Sequence, residues 1–420
     1  MTDRVDAIII GAGAAGLAAA RDLSGSGKTI VILEARQRIG GRIFTHHEPN
    51  IPLPIELGAE FIHGYAEETF KIVEAAGLLA YELPDDHWMS AHGKLRRDSN
   101  FWQSLNRVLR RIPERAHDIS FAEFLKKQKS LPPRLKRIAT DFAEGYNAAH
   151  ADRISAASMR KSDDEQDEPK QYRIANGYDA LIEWLRAGLD PARSTLHLGS
   201  EVTEVKWRRG SVDVATRRGE TFRAQAAVIT IPIGVWKSPH AIRFDPPLRE
   251  KERAVAKVEV GHVVKIIFGF REPFWDRDQT FVHASDPFMP TWWTTSPVHA
   301  SLLTGWAGGH AADRLLAVGD IAGRALQSME SVFGVSRRAI NSKLEWARMC
   351  NWQAEPFSRG AYSYAGIGGQ HAHETLARHV SGTLFFAGEA TTSGETGTVA
   401  GAIATGRRAA KQLLKQGRSQ

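Results

Sequence analysis

The pattern Gly11-x-Gly13-x-x-Gly16 lies between an apolar run, Val5 to Ile10, and an alanine-rich stretch, Ala14 to Leu23, and it leaves this chain few folds to choose from. Directly after a strand and at the mouth of a helix, the missing side chains let the backbone approach a pyrophosphate at the positive helix end. A second strand, Thr29 to Leu33, ends at Glu34, where a carboxylate accepts from both ribose hydroxyls and repels a 2′-phosphate. This is half of a doubly wound nucleotide fold. The implied ligand is an adenine dinucleotide lying against Gly11, Gly13, Ala15, Gly16, Glu34 and Ala35.

Later segments separate FAD from NAD. Arg36 and, after Gly40-Gly41, Arg42 supply cations for a pyrophosphate. The run Phe385-Phe386-Ala387-Gly388-Glu389 and a glycine-rich helix entry from Gly394 to Gly401 return the chain to the same fold. A helix starting near Thr398 and Val399 directs backbone N–H groups at the N1/C2 carbonyl edge of a reduced flavin, which carries negative charge. A nicotinamide builds no such anion, so FAD is the expected cofactor.

With 420 residues and 42% apolar content, the chain exceeds one ordinary core and can fill two. From about Leu78 to Glu168 the pattern reads as amphipathic helices with basic faces, such as Phe101 to Arg111 and Phe121 to Lys127. Strand signals return at Leu196 to Trp207, Ser211 to Thr216 and Ala226 to Ile231, and then in the buried-looking run Val263 to Phe270. The expected class is α/β: a Rossmann-type FAD-binding domain of the glutathione reductase kind, with a second, substrate-binding domain of mixed sheet and helices. The expected boundaries are 1–77, 175–234 and 375–420 for the first domain, and 78–174 and 235–374 for the second, with a helical insertion at 78–168.

The formal charge of +7 is modest, and the clusters Lys126 to Arg137 and Arg107 to Arg111 read as solvated helix faces, with no nucleic-acid motif beside them. The acidic run Asp163 to Glu168 reads as a polar loop that can attract cationic substrates. Apolar runs are strand-length, so no membrane span is expected, and a lone Cys350 fits a reducing, cytoplasmic setting. No metal site is expected, and nothing in the pattern sets the oligomeric state.

With these motifs in place the chain resembles the flavin-dependent amine oxidases: monoamine oxidases, polyamine and spermine oxidases, and lysine-specific histone demethylases. Glu56-Leu57-Gly58-Ala59-Glu60-Phe61-Ile62-His63-Gly64 resembles the polyamine oxidase segment that passes the flavin face, and the resemblance places His63 near the substrate amine. Arg243 to Leu248, Val263 to Ile267 and Phe274-Trp275 are similar to the family's lysine strand. There the resemblance makes Lys265 the holder of a water beside flavin N5. Trp352 to Pro356, Arg359 to Tyr364 and Gly388-Glu389 resemble the region covering the ring, with Tyr362 as an aromatic wall. Gly41, Arg42, Gly58 to Phe61, Val202, Trp352, Gly388, Glu389, Thr398 and Val399 complete the implied FAD contacts. Ala361 stands where monoamine oxidases carry the flavin-bonded cysteine, which implies non-covalent FAD. Thr398 replaces the second tyrosine of their aromatic pair.

The resemblance implies oxidation of a small primary, secondary or polyamine by hydride transfer to flavin N5. Water then hydrolyses the imine to an aldehyde or ketone, and dioxygen is the implied electron acceptor, giving hydrogen peroxide. Residues alone support parts of this, since a lysine in an apolar strand is costly unless paired or functional. Glu60, Glu144, Asn147 and Trp292-Trp293 are further cleft candidates, Glu60 as an anchor for a second ammonium. Rival readings are an L-amino-acid oxidase, which needs a cleft arginine such as Arg173 or Arg314, a desaturase-type flavoenzyme, and a flavin-binding interaction protein without turnover.

Overall fold

The computed structural model describes residues 4–114, 117–160, 170–392 and 394–416, so the acidic run Asp163 to Glu168 lies outside the described residues. The first strand, Val5–Ile10, buries its last four residues and pairs in parallel with Ile30–Leu33 on one side and Thr221–Ile229 on the other. Such near-continuous burial is what a parallel sheet covered on both faces demands. Ser194–His197 extends this sheet beyond Ile30–Leu33. Leu384–Phe386 pairs in parallel with the end of Thr221–Ile229, whose other half forms antiparallel pairs with Ser211–Thr216. Val202–Arg208 and Arg243–Asp245 complete the eight strands.

Two helices set the nucleotide end. Ala14–Gly25 starts directly from the glycine turn and packs against the closing helix, Val399–Gln416. That crossing is close because a Cβ at Gly406 would stand 2.2 Å from the Ala15 carbonyl oxygen. The sequence pattern thereby brings the glycine turn and Thr398, almost four hundred residues apart in the chain, to one wall.

A second, seven-stranded sheet runs in the order Leu344–Cys350, Val263–Phe270, Leu302–Gly308, Thr291–Thr294, Phe281–Ala284, His87–Ala91, Lys94–Arg97. It is mixed, since Phe281–Ala284 and His87–Ala91 run in parallel while the other pairs are antiparallel. The helices Phe101–Leu109, Phe121–Lys127 and Pro133–Gly145 share their own apolar cluster beside it.

Two expectations need correction. Residues 78–97 are not helical: Ala80–Glu82 joins a small three-stranded sheet, and His87–Ala91 with Lys94–Arg97 forms a hairpin on the edge of the second sheet. Its turn, His92-Gly93, holds φ of +52° and +73°, as a two-residue hairpin requires. The outer strand exposes Lys94, Arg96 and Arg97, so its composition resembled a basic helix face. Arg243–Asp245, expected in the substrate unit, pairs with Val202–Arg208 in the nucleotide sheet. No described helix is long and apolar enough to cross a membrane.

Candidate active site

A continuous cavity of about 560 Å³ runs from the glycine turn to the second sheet. At the first end, Gly11 turns with φ +105°, and Gly11, Gly13, Ala15, Gly41 and Arg42 line the wall. Gly16 does not line it. A Cβ there would meet the Gly11 carbonyl oxygen at 1.9 Å, so this glycine serves the helix–strand approach. Glu34 is buried, and its carboxylate accepts from the N–H groups of Ala12 at 2.8 Å and Arg36 at 2.9 Å. Its remaining lone pairs are available to hydroxyl donors.

The expected phosphate cations are already engaged. Arg36 donates to Glu355 and, at 2.7 Å, to Ser358 Oγ, leaving its buried Nε without a partner. Arg42 donates to the Ala361 carbonyl and, at 3.0 Å, to Glu389 Oε1. Glu389 Oε2 takes the Ser363 hydroxyl at 2.8 Å. Ala35, Val202, Trp352, Gly388 and Val399 also line the cavity. Thr398 Oγ1 accepts from the Gly401 N–H at 2.9 Å and starts the closing helix there. A glycine cradle that side chains would fill, a carboxylate with spare lone pairs, an orphaned donor and a helix N-terminus together fit FAD.

In the middle stands Lys265, on a strand buried throughout. Its ammonium lies 2.7 Å from Glu60 Oε2 and donates to the Gly58 carbonyl at 3.1 Å, which leaves one N–H for the cavity. Glu60 also takes Arg173 at 2.7 Å and the Trp293 indole N–H at 3.0 Å. Burial opposes ionisation of Glu60, but Lys265 and Arg173 hold its pKa below the ordinary carboxylate value. Glu60 is therefore not free to anchor a second substrate ammonium; it holds the two cations in place.

At the far end the wall is aromatic. Phe61, His63, Phe142, Tyr146, Trp293, Trp306 and Tyr362 line it, and Ala59 and Gly58 form its approach. The His63 ring meets Tyr146 edge-on at 5.0 Å, and its Nδ1 is buried without a partner. Burial alone lowers the His63 pKa to about 4, so the ring is neutral near pH 7 and is a poor base. The Tyr362 hydroxyl donates to the Tyr146 carbonyl at 2.5 Å. The Tyr146 ring stands on the same wall, stacked on Phe142 at 4.9 Å. Gly397, with φ +80°, lets its loop pass the Tyr362 ring, 3.1 Å from where a Cβ would stand.

Several candidates lie elsewhere. Trp292 is fully buried behind the sheet, and neither Glu144 nor Asn147 lines the cavity. Arg173 is sealed between Glu60 and the carbonyls of Thr294 and Ser296, while Arg314 donates to the Pro287 carbonyl; neither reaches the cavity.

One lining carboxylate went unnoticed in the sequence. Ile138, Asp141, Phe142 and Gly145 form one face of the helix Pro133–Gly145 and line the far end. Asp141 has no hydrogen-bond or ion-pair partner among the described residues, and burial raises its pKa to about 7, against the opposing charge of Arg137. An acid within an otherwise apolar i, i+3, i+4, i+7 stripe was the available signal.

A dinucleotide cradle opening directly into an aromatic chamber with one buried lysine defines a flavoprotein oxidoreductase. Residues 14–414 match the family described as flavin containing amine oxidoreductase, and the chain belongs to it. It is similar to polyamine oxidase 3 of Oryza sativa subsp. japonica, at 31% identity over 97% of this chain and 88% of that protein. Polyamine oxidase 2 of Arabidopsis thaliana is 30% identical over 96% of this chain and 87% of its own length. A solved structure of putrescine oxidase bound to putrescine shares the fold, with a TM-score of 0.82 at 20% identity over 98% of this chain and 99% of that one. The protein is an FAD-dependent amine oxidase. Ala361 lines the cavity and the single cysteine, Cys350, does not, in keeping with non-covalent FAD.

Proposed function

We propose that this enzyme oxidises amines carrying a second cationic nitrogen, a diamine or polyamine, to an imine that water hydrolyses to an aldehyde or ketone, with dioxygen reduced to hydrogen peroxide. FAD, when bound, supplies the two-electron acceptor. The division of labour proposed is a discontinuous nucleotide unit and a substrate unit built on the mixed sheet.

Asp141 carries this reading. An unpaired carboxylate in an apolar chamber is costly to ionise. A ligand cation arriving beside it removes that cost, so binding and ionisation are coupled. The aromatic rings that line the same chamber as Asp141 and Lys265 suit an alkyl chain and attract cations through their faces. In this reading Tyr362, Tyr146 and His63 exclude water and orient the reacting carbon. Lys265, steered by Glu60, holds a water through its remaining N–H. Lys265 and Arg173 together exceed the charge of Glu60, so the centre of the cavity favours a group that gains negative charge. An amino-acid substrate is disfavoured, because no arginine among the described residues lines the chamber end.

The test is loss of flavin absorbance without oxygen, on mixing the enzyme with putrescine, spermidine, a simple monoamine and an L-amino acid. Bleaching fastest with the di- or polyamine, and peroxide on admitting air, is the expected result. Bleaching by the amino acid alone would transfer the reading to an amino-acid oxidase.

A further inference from the structure

A second group of chemically capable side chains gathers outside the cavity. The helix Gly309–Leu316 carries His310 and Asp313, three positions apart and so on one face. The loop that follows the helix Pro133–Gly145 brings the fully buried His150 against them. One ring nitrogen each from His150 and His310 and one carboxylate oxygen of Asp313 lie within 4.8 Å of one another. None of the three lines the cavity, so flavin and amine chemistry do not account for their convergence. No metal site is expected from the sequence, because these ligands come from two distant segments and form no motif.

Each of the three is held by a further polar group. His150 Nδ1 is 3.3 Å from the Tyr364 hydroxyl, which leaves Nε2 for Asp313, whose Oδ2 is 2.7 Å away. Asp313 Oδ1 is 2.6 Å from His262 Nδ1, and His310 Nε2 is 3.0 Å from Asp152 Oδ1. Outer partners of this kind fix the orientation of metal-binding imidazoles and carboxylates. Asp152, Asp313 and the nearby Glu144 bring three carboxylates to the site, against Arg153 and Arg314, and Arg314 is turned to the Pro287 carbonyl. His310 and Asp313 are each about two-fifths exposed, at 40% and 41%, so an ion can enter from solvent. Two imidazoles and one carboxylate suit Zn²⁺ and its transition-metal neighbours, whereas Ca²⁺ and Mg²⁺ take oxygen ligands.

We propose that His150, His310 and Asp313 bind a divalent transition-metal ion of the zinc class, oriented by Tyr364, Asp152 and His262, and that the ion braces the loop carrying Tyr146. In a tetrahedral site with bonds of about 2.0–2.1 Å the ligand atoms stand about 3.3 Å apart. The 2.7 Å contact between His150 and Asp313 therefore opens slightly as the ion displaces the proton shared there, which passes to solvent, and the half-exposed His310 side chain closes in. Three protein ligands leave a fourth position to water. His150 follows Tyr146 by four residues, and the same loop is tied to the start of the lysine strand by the His262 N–H, which donates to the Ala148 carbonyl at 3.1 Å. The His262 carbonyl accepts from the Gly309 N–H at 3.0 Å. An ion here joins the loop behind the amine chamber to the helix Gly309–Leu316 through bonds stronger than these. The inference goes beyond the choice of amine and does not depend on it.

The test uses the FAD-loaded enzyme, free of any histidine tag and treated with a chelator, titrated with Zn²⁺ in a calorimeter. One ion per chain should bind, Tm should rise by roughly 3 °C at about a hundredfold excess over the dissociation constant, and Mg²⁺ or Ca²⁺ should do neither. X-ray absorption at the zinc edge should show two imidazole ligands. His262→Gln, which removes only an outer partner, should weaken binding roughly 10- to 100-fold, and His310→Gln and Asp313→Asn should weaken it further. Both ligand side chains are partly exposed, so these variants are expected to fold, and His371→Gln, at a histidine whose side chain is 82% exposed elsewhere, should bind as wild type does. Amide hydrogen exchange from Tyr146 to Asp152 should slow severalfold with Zn²⁺ in wild type and not in His310→Gln. Absence of binding would leave the cluster a hydrogen-bonded network and overturn the proposal. Binding that survives both ligand variants would be adventitious and overturn it equally, and binding without slower exchange would overturn the brace.

Discussion

The two ends of the cavity are built on different principles. At the nucleotide end the working groups are mostly backbone atoms, with one carboxylate and the unpartnered Nε of Arg36, contributed by three short segments around Gly11, Glu34 and Thr398. At the amine end they are side chains from a helix, two strands of a mixed sheet and several loops, among them Asp141, Tyr146, Lys265, Trp306 and Tyr362. The first design needs absent side chains at set spacings, so it tolerates little variation. The second needs only that some suitable side chain reach each point of the wall, as Tyr146 does from the loop after the helix Pro133–Gly145. A fold that fixes its cofactor through backbone and its substrate through side chains can change specificity without rebuilding the nucleotide site.

The sharpest way to break this contrast is Gly16→Val. Its Cβ would fall within 1.9 Å of the Gly11 carbonyl oxygen. Overpacking on the order of 3 kcal/mol should weaken FAD binding roughly 100-fold, read by flavin fluorescence released on dilution. A variant that keeps its yellow colour on dilution would show that the cradle is not backbone-determined.

Lys265→Met comes next. It should retain FAD while slowing anaerobic bleaching by roughly 100-fold, the scale of losing one positioned proton-handling group. Removing one partner from the buried Lys265–Glu60–Arg173 set also lowers Tm. In a double-mutant cycle with Glu60→Gln, the two changes should couple by about 1–3 kcal/mol. Additive losses would mean that Glu60 does not hold the lysine.

A smaller effect is expected for Asp141→Asn: KM for putrescine up by about tenfold, worth ~1.4 kcal/mol, with a monoamine little affected. Equal losses for both substrates would remove the anchor role. The linkage has a definite sign. The folded-state pKa of Asp141, about 7, lies above its unfolded value, so the folded protein loses stability as pH rises from about 4 to about 7. Glu56, raised to about 7 by burial against bonds from Tyr178 and Thr45, contributes in the same direction. Asp141→Asn should therefore flatten, without abolishing, the fall of Tm across that range.

Tyr362→Phe should change least, about two- to threefold in bleaching rate, because the ring remains and one hydroxyl bond to the Tyr146 carbonyl is lost. A loss beyond tenfold would give the hydroxyl a role in the reaction itself.

By itself the sequence determined the nucleotide fold, the cofactor and the family, and it placed Val5–Ile10, Ser211–Thr216 and Val263–Phe270 at their observed bounds. Those features depend on local constraints: glycines where a Cβ cannot stand, a carboxylate ending a strand, runs apolar on both faces. It also singled out Lys265, because a charge in a buried strand is a local contradiction. The tertiary structure decided the rest. A basic edge hairpin and a basic helix face look alike until a sheet is there to pair with, so residues 78–97 read as helix. Glu60 changed from a free acid to the clamp on Lys265 and Arg173 only because strands far apart in the chain converge on it. Asp141 and Tyr146 carry no signal in spacing strong enough to single them out, since which groups face them across a cavity is a property of packing rather than of any one segment.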